Sequence, residues 1–241
     1  MSRIAIASIF RNSVPYLDRY VKQVADLSGH LCGLGFDIHL IAAEGDSTDD
    51  TYEQLKRKLG YLYGRVQHVS TGSQLSIIKA EHGGKSYGSV DNPFRWKNIS
   101  YVCNKVLESV EEDDDFLLYV ESDLIWDAET MQYLLGHLHQ QQHIDAVAPL
   151  SIHQPTKRFY DTWGHRKDGQ CFQQDRPYHP GIRGISLTPI DSAGSCIAMR
   201  GEVARECRFT PPELGIVGFG NDIRAKGYKF YLDPGLRVLH P

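Results

Sequence analysis

The chain reads Phe116-Leu117-Leu118-Tyr119-Val120-Glu121-Ser122-Asp123 at the point where a continuous apolar run meets two carboxylates. Five consecutive apolar residues are typical of a strand that is buried on both faces, as at the centre of a mostly parallel sheet. Open α/β sheets bind their ligands at the carboxyl ends of such strands. The sequence therefore predicts that Glu121 and Asp123 lie at the mouth of a binding crevice.

The acid-x-acid triplet fits either of two roles. If the chain stays extended, the spacing of two puts the carboxylates of Glu121 and Asp123 on one side. Oxygen ligands on a rigid strand end suit Mg²⁺ or Mn²⁺ with a bound diphosphate, because Mg²⁺ usually takes one or two carboxylates together with substrate phosphates. A strand that simply leaves the core through polar residues would carry the same residues, and the triplet alone leaves both roles open.

Composition limits the class of protein. The 241 residues are 41% hydrophobic and 23% charged, with 26 basic and 30 acidic residues and a formal net charge of −4. This predicts one soluble α/β domain over 1–241 and no general attraction to nucleic acid or to anionic membranes. Five cysteines without a Cys-x-x-Cys motif favour a reducing compartment. No stretch reaches the roughly 20 apolar residues of a membrane span, so we expect a cytoplasmic protein.

Two earlier strands also end in polar residues. Ile4–Phe10 is followed by Arg11 and Asn12, and a second strand at 36–43 is followed by Glu44. The acidic run at 44–51 contains good helix caps, and acids at a helix start complement its dipole. Capping does not explain Glu44, which we expect to face the same crevice.

The remaining pattern alternates helices and strands. Predicted elements are a short third strand at 65–69, a Gly- and Ser-rich loop to Pro93, a helix opening at 94–98, a helix at about 128–142 and a strand at 145–150. The later part is predicted to contain a small-residue turn into a strand at 190–199, a short helix at 202–207, a flexible apolar segment at 215–220, a helix at 221–227 and two short strands near 228–232 and 237–239.

Between these elements, 151–187 lacks a periodic pattern and is rich in aromatic residues, including Phe159, Tyr160 and Trp163. Aromatic faces stack on the flat apolar patches of sugars while polar tips bond hydroxyl groups, which suits a sugar or another polar acceptor. An ordinary variable loop accounts for the segment equally well.

The order of these parts resembles the GT-A class of nucleotide-sugar glycosyltransferases over nearly the whole chain, and most closely the Anp1-type fungal mannosyltransferases. The similar pieces are Arg11-Asn12, Asp46-Ser47-Thr48-Asp49, Asn104, Val-Glu-Ser-Asp at 120–123, Pro-Ile-Asp-Ser-Ala-Gly at 189–194, Phe-Thr-Pro-Pro at 209–212 and Val-Leu-His at 238–240. Here the first acid of the triplet is Glu121, Asn221 stands where the family often has an acid, and Val102-Cys103-Asn104 stands where it often has Ala-Arg-Asn.

The resemblance implies a fold and a set of site residues. The fold is GT-A, a Rossmann-like α/β fold with a mostly parallel central sheet flanked by helices, with a nucleotide-sugar half at about 1–125 and an acceptor half at about 126–241. The implied metal ligands for Mn²⁺ or Mg²⁺ are Glu121, Asp123 and His240. The implied donor-binding residues are Arg11, Asn12, Glu44, Asp46, Arg95, Asn104, Ser122 and Gly194. The implied catalytic carboxylate is Asp222, with Asp191 as a second candidate for acceptor or sugar binding.

These roles predict a metal-dependent glycosyltransferase that moves a hexose from a GDP- or UDP-linked donor to a glycan or another hydroxyl acceptor. The segments at 121–123, 222 and 240 should then converge on one pocket. For two of them the local pattern also fits a purely structural role, because Asp222 suits a helix cap and His240, near a terminus, suits solvent.

Two other functional classes share this layout. A sugar-1-phosphate nucleotidyltransferase needs a Gly-rich anion-binding loop after its first strand, and this chain has Arg11-Asn12-Ser13-Val14-Pro15 there. A non-catalytic nucleotide-sugar or glycan-binding protein remains the third class. Pyrophosphate release would indicate the former, and binding without turnover would indicate the latter.

Overall fold

The helices and strands are taken from a computed structural model that describes residues 2–87, 92–211 and 214–241. The first half contains β1 (Arg3–Phe10), α1 (Val14–Gly33), β2 (Asp37–Glu44), α2 (Thr51–Gln67), β3 (Gln74–Lys79), α3 (Pro93–Leu107) and β4 (Asp114–Val120). The second half contains α4 (Ala128–Gln140), β5 (Ala146–His153), β6 (Arg166–Lys167), β7 (Gln170–Cys171), β8 (Thr188–Pro189), β9 (Cys196–Arg200), α5 (Gly201–Glu206), α6 (Gly215–Ala225) and β10 (Phe230–His240).

A central sheet of eight strands has the order β3-β2-β1-β4-β9-β5-β10-β8. Its strands run parallel except β9, which is antiparallel to β4 and β5, and the edge strand β8, which is antiparallel to β10. Helices α1, α2 and α4 pack on one face, and α3, α5 and α6 pack on the other. The expected α/β fold with a mostly parallel sheet between helices is confirmed.

Strand β4 contains the apolar run that precedes the acid-x-acid triplet. Phe116, Leu118 and Val120 join the core beneath α1 and α4, whereas Leu117 and Tyr119 join the core beneath α3. Because helices cover both faces, no position in the strand needs to be polar. The prediction of a central strand buried on both sides is confirmed.

The third strand was predicted in the wrong place. Arg65–Gln67 form the last turn of α2, since Leu62 and Val66 continue the helical spacing of buried side chains. The actual strand, β3, lies within the segment predicted as a loop, of which 88–91 fall outside the described residues.

Gly215–Gly220 was predicted to be flexible, and it forms the first half of α6. A Cβ atom on Gly218 would come within 2.2 Å of the Thr210 carbonyl oxygen, and one on Gly220 within 2.4 Å of the Asp191 carbonyl oxygen. These glycines therefore allow close packing of the helix against neighbouring backbone.

The two short strands predicted at the carboxyl end are one strand, β10, with an irregular register between Asp233 and Arg237. This strand ends at His240, beside His153 at the end of β5. Among helices in the described ranges, none combines the length and the apolar character that crossing a membrane requires.

Candidate functional site

Two cavities lie side by side at the carboxyl ends of the parallel strands. The first cavity has a volume of about 440 Å³ and is lined, among others, by Arg11, Tyr16, His82, Ser122 and Asp123. The strand ends meet there because β1 pairs with both β2 and β4, with Phe10 directly beside Glu44. This is the edge at which open α/β sheets bind ligands.

The second cavity has a volume of about 450 Å³ and lies under the irregular segment after β5. Its walls include Trp96, Tyr160, Asp161, Trp163 and Ser195. Trp163 is 54% exposed and so offers its ring to a ligand, whereas Tyr160, 42% exposed, stacks on the imidazoles of His240 and His153.

Arg95, Ile99 and Glu121 line both cavities and mark their junction. Arg95 and Ile99 are four residues apart on α3 and so share one helical face. Glu121 follows Tyr119 at the two-residue period of β4 and therefore points to the α3 side of the sheet.

The carboxyl group of Glu121 has a raised pKa. Burial, followed by the negative charges of Asp123 and Asp161, raises the pKa of Glu121 to about 8, although Arg95 and a hydrogen bond from Ser195 act in the opposite direction. Three carboxylates thus crowd one junction, and a cation bound beside them would favour their charged forms.

Asp123, which lines the first cavity beside Glu121, lies next to His240 at the end of β10, and His240 is not itself among the described residues that line either cavity. His240 Nε2 lies 3.3 Å from Asp123 Oδ2. The other oxygen, Asp123 Oδ1, is buried without a hydrogen-bond partner among the described residues. A buried carboxylate oxygen that lacks a donor is costly, so this position fits a cation.

The predicted set of three metal ligands is only partly assembled. Within the described ranges, no group of three or more His, Cys, Asp or Glu side chains is arranged to hold one ion. Asp123 and His240 supply one oxygen and one nitrogen donor, and Glu121 does not complete a three-residue set with them. A two-residue set fits a divalent ion whose remaining ligands are water and substrate phosphates.

Two predicted donor residues, Arg11 and Ser122, line the first cavity, and a third, Asp46, holds the loop that carries His82. Arg11 donates from Nη2 to the Gly84 carbonyl oxygen over 2.8 Å. Asp46 Oδ2 accepts backbone hydrogen bonds from His82 and Gly84 at 3.0 and 3.2 Å. Burial favours the neutral acid, but these donors outweigh it and lower the pKa of Asp46. Ser122 is buried and lines the cavity beside Ser13.

Asn12 and Glu44 connect the loops that follow β1 and β2. Asn12 has a positive φ of 49°, and its Oδ1 accepts from the Thr48 backbone N–H over 2.8 Å. Glu44 Oε1 accepts from the Ser47 N–H over 2.5 Å. Neither is among the described residues that line the cavities, so their contacts are those of a scaffold.

Asn104 and Gly194 also lie outside the cavity walls. The Asn104 amide makes two hydrogen bonds with the Phe209 backbone, at 2.8 and 2.9 Å, so its side chain is engaged by that backbone. Gly194 leaves space for Asp161, because a Cβ atom there would come 2.2 Å from Asp161 Oδ2.

Asp222, the predicted catalytic carboxylate, makes its contacts away from the two cavities. Asp222 Oδ2 accepts from the Arg208 N–H at 2.8 Å and pairs with Lys226 Nζ at 2.9 Å. It is not among the described residues lining either cavity, because the face of α6 that carries it turns toward Arg208. Of the three segments expected to converge, 121–123 and 240 meet, and 222 does not.

Asp191 is likewise engaged elsewhere. Its Oδ1 accepts from Arg224 Nη1 at 2.9 Å, and its Oδ2 accepts from the Gly169 N–H at 2.7 Å. It ties α6 to the turn between β6 and β7 and lines neither cavity among the described residues.

Sequence reasoning missed Asp161 as a site residue. Asp161 Oδ1 accepts from the Gly164 N–H at 3.1 Å, and Oδ2 lies 3.4 Å from Ser195 Oγ and 3.3 Å from His165 Nδ1. The only local signal is an Asp three residues before a Gly, which is typical of a turn. Nothing in the sequence shows that this turn lies beside Glu121.

The comparisons with known proteins identify the fold of this chain. No family model matches the sequence, and no curated protein matches it. The structure of GalNAc-T7 with UDP, GalNAc and Mn²⁺ is 16% identical, with a TM-score of 0.56, and the match covers 100% of this chain but only 44% of that one. Glucosyl-3-phosphoglycerate synthase from Mycobacterium tuberculosis with Mn²⁺, UDP-glucose and phosphoglyceric acid is 15% identical, with a TM-score of 0.53 and coverage of 100% and 72%. The chain has a GT-A fold.

The matching solved structures are of longer chains than this one. A further structure, described as a mycobacterial protein, matches at 15% identity and a TM-score of 0.55 over 100% of this chain and 68% of that one. This chain therefore spans less than half of the GalNAc-T7 chain and about seven tenths of the other two.

Proposed function

We propose that this protein is a metal-dependent glycosyltransferase that moves a hexose from a nucleotide diphosphate sugar to a hydroxyl acceptor. The observation that carries the proposal is the pairing of His240 with Asp123, which lines the first cavity next to Glu121, where Arg95 and Glu121 line both cavities. The junction of the two cavities gives donor and acceptor separate volumes that share the reacting centre. The GT-A fold supports the same assignment.

The first cavity is the proposed donor site. Its volume of about 440 Å³ lies within the range of small-molecule sites, roughly 300–1,000 Å³. Asp123 and His240 would hold the divalent cation. When bound, that ion stabilises negative charge on the leaving diphosphate as a Lewis acid. Arg11 and Arg95 add fixed positive charge along the same wall, and guanidinium groups suit phosphate oxygens.

The second cavity is the proposed acceptor site. The exposed ring of Trp163 suits the apolar face of a sugar, and Tyr160, Arg158 and Asp161 line the same cavity with polar groups. Since Asp222 and Asp191 are engaged elsewhere, Asp161 takes their place as the proposed partner of the acceptor hydroxyl. A carboxylate in this role must come within hydrogen-bond reach of that hydroxyl.

The identity of the donor is a separate proposal. The GalNAc-T7 structure contains UDP, and the mycobacterial synthase structure contains UDP-glucose. This favours a uridine-linked donor, whereas the resemblance to Anp1-type mannosyltransferases implies a guanosine-linked one. We infer that UDP-sugars are the first donors to test, with GDP-mannose as the comparison.

A thermal-shift screen tests donor and metal together. UDP, GDP, UDP-glucose and GDP-mannose are each compared with and without Mn²⁺, since a ligand that binds only the native state stabilises it by about 2.7 kcal/mol at 100 times Kd. We expect Mn²⁺-dependent stabilisation by one nucleotide family, followed by release of that nucleoside diphosphate on turnover. Pyrophosphate release from a nucleoside triphosphate would instead identify a nucleotidyltransferase, and binding without turnover would identify a non-catalytic protein.

Asp222→Asn and Asp191→Asn are expected to leave turnover per folded molecule close to the wild-type value. Asp222 lies on α6 and bonds to Arg208 and Lys226, and Asp191 bonds to Arg224 of α6 and to Gly169. Loss of either carboxylate should therefore lower the free energy of unfolding by about 1 kcal/mol. Initial rates and urea unfolding measure the two effects separately. A 100-fold fall in kcat for Asp222→Asn with unchanged stability would restore it as a catalytic residue.

A further inference from the structure

The backbone around His240 is held on both sides. Leu239, one residue earlier, exchanges two hydrogen bonds with Ile125, at 2.8 and 2.9 Å. The His240 carbonyl oxygen accepts from the Gln154 N–H over 2.7 Å. These contacts hold the backbone of His240 close to Asp123, which lines the first cavity, but they leave the imidazole free to turn about its side-chain bonds.

The imidazole is oriented by two further contacts. Nδ1 lies 3.1 Å from the Pro241 carbonyl oxygen, which accepts a hydrogen bond from the tautomer that carries its proton on Nδ1. In that tautomer the Nε2 lone pair is directed to the side of Asp123, as metal ligation requires. The flat face of the ring stacks on Tyr160, with ring centroids 3.6 Å apart and planes inclined by 14°.

Tyr160 is itself well anchored. Its N–H donates to the Ser151 carbonyl oxygen over 2.8 Å, which fixes it to the end of β5. The preceding residue, Phe159, is 1% exposed and packs in the core. The ring of Tyr160 is therefore a fixed surface against which the imidazole of His240 lies.

We propose that Tyr160 is a positioning residue for the cation ligand His240, holding the imidazole by stacking so that Nε2 stays directed toward the ion beside Asp123. The inference rests on the proposed function only in that a divalent cation binds at Asp123 and His240. Groups that orient a metal-ligating histidine commonly change metal affinity by about 10–100-fold when they are removed. The phenol hydroxyl is not required for the stack, so phenylalanine should replace tyrosine.

The test measures Mn²⁺ affinity directly, by titration with the electron paramagnetic resonance signal of free Mn²⁺. Tyr160→Leu is expected to raise the Kd for Mn²⁺ about 10-fold, while Tyr160→Phe keeps it near the wild-type value. In a His240→Ala background, Tyr160→Leu should add no further loss, because the side chain that it positions is gone. Tyr160 is 42% exposed, so its truncation leaves no buried cavity, and Tyr160→Met provides the same comparison if the Leu variant does not fold.

The outcomes separate this inference from the proposed function. An unchanged Kd in a folded Tyr160→Leu protein overturns the positioning role, as does an equal loss in the His240→Ala background. A wild-type protein that binds Mn²⁺ through His240 but transfers no sugar overturns the proposed function and leaves the Tyr160 comparison intact. A wild-type protein that binds no Mn²⁺ overturns both.

Discussion

Asp123→Asn is expected to lower the kcat/KM of metal-dependent sugar transfer by about 10²–10³-fold. Asp123 is the carboxylate that meets His240 and keeps one buried oxygen without a partner among the described residues. A catalytic cation contributes several kcal/mol to the stabilisation of charge in a transition state, and each 1.36 kcal/mol is a factor of about ten in rate. The neutral amide is a much weaker ligand than the carboxylate, so most of that contribution should be lost.

The same substitution should not destabilise the metal-free protein. Glu121, Asp123 and Asp161 place three carboxyl groups at one junction, and this proximity contributes to the raised pKa of Glu121. Removing one negative charge relieves like-charge repulsion. We therefore expect the melting temperature without Mn²⁺ to stay equal or to rise, while the increase that Mn²⁺ produces in the wild type disappears.

Initial rates at several Mn²⁺ concentrations and melting curves with and without Mn²⁺ measure both effects. Asp26→Asn is a matched control, because Asp26 is an exposed acid on α1 that pairs with Lys22 and the change in net charge is the same. Undiminished turnover of Asp123→Asn in EDTA would contradict a role for a cation at this position.

The sequence predicts the end of β4 well because burial on both faces leaves a continuous apolar run. In β4 the alternate residues enter two different cores, so the apolar run has no gaps until the strand leaves the sheet at Glu121. The end of the run therefore locates the edge of the sheet. The same pattern places Arg11 after β1, and Arg11 lines the first cavity as expected.

The direction in which a helical side chain points is harder to predict. Asp222 lies on α6 next to Ile223, which is buried against the sheet. One residue changes the facing by about 100°, and the chain gives no signal of whether the acid faces the cavity or Arg208. The predicted helix at 221–227 covers only the second half of α6, and order along the sequence does not give the direction in which its carboxylate points.

The positions of residues in irregular segments are harder still to predict. Asp161 and Tyr160 come from a stretch without periodicity, and their position depends on the packing of Phe159 into the core. The position of Tyr160 also depends on contacts between residues far apart in sequence, such as its stack on His240. Composition left a polar-ligand site and an ordinary variable loop equally open for this segment, and only the folded structure brings it to the junction.

The largest loss of stability is expected for Asp114→Ala, at the opposite end of the sheet from the cavities. Asp114 is fully buried, and it accepts from Arg3 Nε at 2.6 Å, from His39 Nδ1 at 2.9 Å and from the Glu111 N–H at 2.8 Å. Arg3 and His39 are themselves 6% and 0% exposed. Removing the shared carboxylate leaves a buried guanidinium without its buried counter-ion, which typically costs about 3–5 kcal/mol.

The pH dependence of this loss follows from the pKa of Asp114. Burial would raise that pKa, but the hydrogen bond and charge of His39, with the Glu111 N–H and Arg3, outweigh it and lower the pKa. A lowered pKa in the folded state means that the carboxylate stabilises the protein above the unfolded-state pKa of about 3.9. This contribution is lost as the pH falls through the still lower folded-state pKa.

Urea unfolding at pH 7 and at a series of pH values below about 4 measures the difference between wild type and Asp114→Ala. We expect the full difference at pH 7 and a steady decrease as the carboxylate of the wild type is protonated. Asp113→Ala is the matched control, since Asp113 is the exposed neighbouring acid and its loss should change stability by no more than about 0.5 kcal/mol.

Because Arg3 and Asp114 pair at the amino ends of β1 and β4, turnover per folded Asp114→Ala molecule should remain at the wild-type level. A difference below about 1 kcal/mol at pH 7 would mean that the ion pairs around Asp114 only offset the cost of burying it, since desolvation can cancel the attraction within a buried pair.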